Sequence, residues 1–318
     1  MDMKKPLMLF IMSLIAFTAL SQGSLSIDRF GYSDFRNSDG ERVGSGSMLR
    51  TKAEMTLPIK MKRDEANRLS AWGIRINADY SRLNNSETAA MLNPHEILNT
   101  SITLAHIRPL AGRWSMIAAL GVGIYAPTNY IRWKSLLGNG IALFIYKIND
   151  ELSLGFGGGL TNSYGPPVVM PMAYVNWQHK GRYQFTVNFT GHLNVTGSTK
   201  LDDRWKITCT AVDMDGITAV LVRDGKTKVY SSTMIKSDLS VSYYITPQLS
   251  FYVGGGCVWR RSSRIGPAAS RNFSRACLPP PTNTASAPRC ASTPASATVS
   301  DPSPPPRAQS RNSSLPTR

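Results

Sequence analysis

Leu49-Arg50-Thr51-Lys52-Ala53-Glu54-Met55-Thr56-Leu57-Pro58-Ile59-Lys60-Met61 alternates without a break. Leu49, Thr51, Ala53, Met55, Leu57, Ile59 and Met61 fall on one face of an extended chain. Arg50, Lys52, Glu54, Thr56, Pro58 and Lys60 fall on the other. The run is far longer than the roughly five or six residues of an average globular strand. Its length and pattern suit a strand that crosses a membrane in a closed barrel, apolar outside and wet inside.

The same period recurs along the chain. Trp72, Ile74, Ile76, Ala78 and Tyr80 alternate with Gly73, Arg75, Asn77, Asp79 and Ser81. Trp114, Met116, Ala118, Leu120, Val122 and Ile124 alternate with smaller or more polar residues. So do Tyr183, Phe185, Val187 and Phe189 against Arg182, Gln184, Thr186, Asn188 and Thr190, and Leu239, Val241, Tyr243 and Ile245 against their neighbours. Trp72 with Tyr80, and Phe251 with Trp259, sit eight residues apart on one face. Eight tilted residues rise roughly 20 Å, close to the height of an apolar band between two aromatic girdles.

Connections alternate in length. Taking 27–35 as an outward strand, Lys62–Leu69, Pro109–Gly112, Asn149-Asp150, Gln178–Gly181 and Thr246-Pro247 are inner turns. Segments 36–46, 83–96, 126–138, 163–167 and 194–226 are outer loops. Short inner turns and long outer loops are what membrane barrels show. This parity predicts eleven spanning strands, with 227–245 a single strand and 205–223 a hairpin riding on the last loop. Pro58 and the runs Gly157–Gly159 and Gly254–Gly256 read as bulges or bends.

Lys4 and Lys5 precede an apolar run from Pro6 to Leu20, with Ala19 and Ser21 at the −3 and −1 positions of a cleavage site. Residues 1–21 therefore read as a secretory signal peptide, too short for the ~20 apolar residues of a spanning helix. The formal charge of +16 is spread through the chain, with no basic helix or interleaved aromatic stripe, so no nucleic-acid partner is expected. Of the four cysteines, Cys257 is in phase with Phe251, Val253 and Trp259, and reads as a small outward hydrophobe rather than half of a bridge to Cys209.

No metal or cofactor motif and no catalytic motif is present. His95, His106, His179 and His192 have no ligand spacing. A rim hydrolase could be drawn from His192, Asn188 or Asn194 and a loop serine, but a polar residue at the mouth of the lumen explains His192 more simply. The candidate lumen-facing residues are Arg50, Lys52, Glu54, Arg75, Asp79 and Arg182. Their positive excess would favour anionic solutes. Structurally, Glu54 and Asp79 would pair with arginines on neighbouring strands, which is the favoured account.

Beyond residue 261 the pattern changes. Residues 262–318 hold eleven of the twenty Pro, twelve Ser, seven Arg and no alternating apolar segment. They read as a disordered Pro/Ser/Arg-rich tail. An eleventh strand ending on the outer side leaves an even-numbered barrel one strand short, so the tail is read as an out-of-frame or replaced C-terminus.

The export signal, alternation, girdles and loop asymmetry over roughly residues 27–260 resemble the uncharacterised outer-membrane β-barrel domain families of Gram-negative bacteria. Pro171-Met172-Ala173-Tyr174-Val175-Asn176-Trp177 is the best local feature of that resemblance and carries no known chemistry. The expectation is an all-β transmembrane antiparallel barrel of about twelve strands over 22–261, located in the outer membrane. It would be structural or a passive solute transporter, without enzymatic activity, and would contact membrane lipid and the barrel-assembly machinery. The competing readings are a barrel enzyme acting on lipid or peptide at the outer rim, and a secreted soluble β-rich binder.

Overall fold

Alternating sequence becomes a meander in which each strand pairs with the next. The computed structural model describes residues 22–37, 40–65, 67–162, 168–179, 182–190, 192–223, 225–247, 249–267, 285–286 and 289–299. The export segment at 1–21 lies outside them, as does most of the tail. The strands are β1 (Gln22–Arg36), β2 (Arg42–Arg63), β3 (Leu69–Asn85), β4 (Glu96–Pro109), β5 (Trp114–Ala126), β6 (Leu136–Lys147) and β7 (Leu152–Thr161). They continue with β8 (Val168–His179), β9 (Tyr183–Phe189), β10 (Leu193–Lys200), β11 (Trp205–Arg223), β12 (Lys226–Tyr244) and β13 (Leu249–Pro267). Among the described residues a short helix, α1 (Glu87–Leu92), and a 3-10 turn at Trp133–Ser135 sit in outer connections. Among the described residues no helix is long and apolar enough to cross a membrane.

All neighbouring pairs are antiparallel. Two further segments, β14 (Ala285–Ser286) and β15 (Arg289–Val299), pair with β13 on one side and β1 on the other. Val299 lies opposite both Leu249 and Gly23, so the pair acts as one inward-running strand that closes the ring. Among the described residues, thirteen meander strands and this closing one give the even number that single-chain barrels adopt.

Two sequence expectations are corrected by this topology. The barrel was expected to end at 261 with nothing beyond it joining the wall. Instead β13 continues to Pro267, and the backbone of 285–286 and 289–299 fills the gap. A sheet edge in lipid would strand unpaired N–H and C=O groups; almost any backbone can satisfy them, proline lacking only the N–H donor. Pro294 falls in the register shift between Ser296↔Tyr252 and Thr293↔Gly254, where its missing N–H breaks no ladder bond. The expected outer loop at 194–226 is likewise replaced by β10 and the inner half of β11, which join the wall through an inner turn at 201–204.

Facing follows the alternation, with a flip near the inner end of β2. Leu25, Leu49, Ile102, Leu120, Val122, Phe156, Phe185, Leu239 and Val253 are exposed on the outer wall. A register shift between Pro58 and Lys60 places Lys60 opposite Trp72, so Lys60 is on the outward face and Met61, opposite Ala71, on the inward one. Both were expected the other way round. A bulge inserts one residue and inverts the facing of everything after it. The Gly157–Gly159 run, by contrast, pairs with β6 and β8 without any shift.

Aromatic rings gather at the inner ends of the strands. Trp72 stacks on His106 at 4.0 Å, Trp114 packs on Tyr146 at 4.9 Å, and Trp205 packs on Tyr243 at 4.8 Å. Trp177, Tyr183 and Phe251 extend this row. Amphipathic rings at one level around a barrel suit a membrane–water interface. Cys209 keeps its thiol and is exposed on the outer wall.

Candidate functional site

The site is built where β11 leaves the wall. β10 ends its pairing at Leu193↔Met214, whereas β11 runs on to Arg223, paired only with β12. A register shift at Thr210/Asp213 bends β11, and one at Ile235/Lys236 bends β12 against β13. Gly256 makes room for the second bend, because a Cβ there would lie 2.0 Å from the Ser237 carbonyl oxygen. Beyond these bends the β11–β12 hairpin turns into the lumen.

Its contacts prove the crossing. Fourteen strands at about 4.8 Å spacing and 40° tilt enclose a ring roughly 28 Å wide. Yet the hydroxyl of Thr218 donates to the carbonyl of Asn162, at the end of β7, at 2.6 Å. The amide of Asn99 on β4 spans the Thr218 backbone: turned so that each atom meets a complementary group, it donates to the C=O at 2.6 Å and accepts from the N–H at 3.1 Å. Arg223 donates to the carbonyl of Met91 on α1. β4 lies seven strands from β11 and β7 four strands away, so the hairpin bridges the ring.

Both faces of the hairpin are consequently buried. Ile217, Ala219, Tyr230 and Met234 form an apolar cluster with Phe30, Met48, Leu83 and Ile97, which are inward-facing residues of β1 to β4. Thr218 and Val220, which in a wall strand would meet lipid, are buried as well. The outer half of the lumen is therefore a packed core. The inner half stays open: Glu54 and Arg75 pair at 3.3 Å with about half of each side chain exposed.

Where core meets vestibule lies a charge cluster. Arg50 is 2% exposed. Its guanidinium grips the Asp79 carboxylate through Nε at 2.8 Å and through Nη2, and the Ser81 hydroxyl supports the same carboxylate at 3.2 Å. Nη1 of Arg50 donates to Asp215 of β11 at 2.7 Å, and Lys52 donates to that carboxylate at 2.6 Å. Nη2 also reaches the Gly216 carbonyl at 3.4 Å. Arg50 and Asn99 thus serve the edge of β11 that lost its strand partner. Lys236 pairs with Asp213 at 3.1 Å beside this cluster.

Of the six candidates from sequence, the structure brings Arg50, Lys52 and Asp79 together and joins Glu54 to Arg75 one level below. Arg182 is not among them. It is exposed in the turn before β9, with its guanidinium 5.6 Å from the ring of Tyr183 on the outer wall. A strand end frees the side chain to fold over an aromatic face. Asp215 was missed, because a contact across 165 positions has no periodic signature. Its nearest sequence signal is the unbroken run Ala219-Val220-Leu221-Val222, which fits a strand buried on both faces.

Around the outer end of the hairpin is a cleft of about 480 Å³ lined by His95, Glu96, Tyr130 and Arg223 among others. His192 is exposed at the β9–β10 turn, while Asn188 accepts from Thr190 at 2.7 Å. Among the described residues there is no cluster of His, Cys, Asp or Glu that could hold a metal.

The family described as a domain of unknown function (DUF6268) matches residues 17–276. The chain belongs to this family. No curated protein matches it. Among solved structures it is similar to an outer membrane channel from Pseudomonas putida F1, at 8% identity and TM-score 0.45, over 88% of this chain and 95% of that one. It is also similar to the outer membrane protease OmpT from Escherichia coli, at 8% identity and TM-score 0.22 over 88% and 95% of the two chains. OccK5 (OpdH) from Pseudomonas aeruginosa aligns at 8% identity and TM-score 0.25 over 87% and 98%.

Proposed function

We propose that the chain is an outer-membrane β-barrel protein of Gram-negative bacteria without enzymatic activity. Its role is structural or the passive passage of solutes through a lumen closed on its outer side. The observation that carries this reading is the facing of the wall. Residues such as Leu120, Phe156 and Val253 are exposed outward, the charged residues Arg50, Lys52 and Asp79 point inward, and aromatic rings line the inner rim. A secreted soluble protein would carry Lys and Glu at those outward positions.

The partners of this reading are the lipids that cover the apolar wall, and the barrel-assembly machinery during biogenesis. Nucleic acid has no place in it. Passage of a solute requires the β11–β12 hairpin to shift, because its core fills the outer lumen. Fractionation of expressing cells tests the proposal. The protein is expected in the outer-membrane fraction, released only by detergent, and recovery as a soluble periplasmic protein would contradict it.

A further inference from the structure

We infer that Arg50 and Lys52 form a carboxylate-binding site whose present occupant is the protein's own Asp215. The inference rests on the barrel reading and assigns the class of solute that its lumen recognises.

Two cations converge on one carboxylate that stands where β11 leaves the wall, one residue past its last pair with β10, Leu193↔Met214. Arg50 and Lys52 are adjacent on the inner face of β2, whereas Asp215 arrives from across the ring on the inserted hairpin. Its Oδ2 receives both Nη1 of Arg50 at 2.7 Å and Nζ of Lys52 at 2.6 Å. Its Oδ1 receives Nη2 of Arg50 at 3.3 Å and the Gly216 N–H at 2.7 Å. That is the geometry of a bound carboxylate, with the hairpin as its tether.

The charges decide what the site takes when the tether leaves. Arg50, Lys52, Asp79 and Asp215 balance to zero. Asp79 belongs to the wall strand β3 and stays with Arg50, so withdrawing Asp215 leaves one uncompensated positive charge in a low-dielectric position. An anion must replace it. Lys52 gives that anion a route, because its side chain is 32% exposed, toward the open inner half of the lumen, while Arg50 is sealed at 3%. A solute carboxylate entering the vestibule meets Lys52 first and competes with Asp215 for the same donors. Displacing Asp215 removes the ion pairs that tie the hairpin to β2, which couples recognition of the solute to opening of the lumen.

Succinate binding to detergent-folded protein, followed by isothermal titration calorimetry, tests this. Asp215→Asn is expected to bind at least tenfold more tightly than the wild type, and the double variant with Lys52→Gln to lose that gain. If Asp215→Asn does not fold, wild type and Lys52→Gln are compared at high succinate, where weak binding to the wild type should vanish in the variant. Equal isotherms for wild type and Asp215→Asn, or binding indifferent to Lys52→Gln, overturns the inference. Failure of the barrel reading would show separately, as soluble recovery of the unmodified protein on fractionation.

Discussion

At the scale of single residues, the facing of each side chain decides what substitutions cost. Val122 is 46% exposed on the outer wall, whereas Asn77 turns inward and donates its amide to Ser101 at 3.4 Å. Arg at Val122 or at Ile76 is expected to destabilise the folded protein by about 2–4 kcal/mol in lipid, and Arg at Asn77 to be tolerated. Urea unfolding of the vesicle-inserted protein measures the difference, and equal costs would contradict the register. Arg50 is a sharper case. Arg50→Met strands Asp79 and Asp215 with only Lys52 to share, and should cost about 3–5 kcal/mol. A loss below about 1 kcal/mol, the size of an exposed pair, would show that the cluster is wetter than its burial indicates.

At the scale of elements, β2, β3 and β5 were legible because lipid on one side and water on the other enforce a period of two. Leu49 to Leu57 and Trp72 to Tyr80 keep it with hardly an exception. β10 was not legible, since its outward residues after Leu193 are Val195, Gly197 and Thr199, too small and polar for an apolar signal. The outer half of β11 was illegible for a different reason: it has no wet face, so nothing alternates. The facing of Lys60 failed because a bulge changes register without any change of composition. The pairings Glu54–Arg75 and Arg50–Asp79 follow from adjacent strands and were foreseeable. Those of Arg50 and Lys52 with Asp215 depend on a hairpin that crosses the lumen. The insertion itself has a test. Asn99→Ala removes two bonds to the Thr218 backbone and should cost about 1–3 kcal/mol. Hydrogen exchange should quicken at the Thr218 amide and stay unchanged along the β4–β5 ladder. Quickening of both alike would mean that the hairpin is not held at Asn99.

At the scale of the whole molecule, closure is the property on which the rest depends. β1 and β13 pair with the same segment, Arg289–Val299, so among the described residues the meander is joined end to end and its first and last strands are not left as open edges in lipid. The inner rim is marked by Trp72, Trp114, Trp177 and Trp205, and the inner turns are short. At the β6–β7 turn, Lys147 donates to the Asp150 carboxylate at 2.7 Å and holds it below the usual carboxylate range, first by that bond and then by its charge. A closed antiparallel ring opens only when its ladders melt together, and detergent alone does not melt them. The most direct measurement is therefore electrophoretic mobility in dodecyl sulfate before and after boiling. The barrel predicts two positions for the same protein, a compact form without heating and a slower, fully unfolded form after boiling. A single position, unaffected by heat, in protein extracted from the outer membrane would contradict a closed barrel.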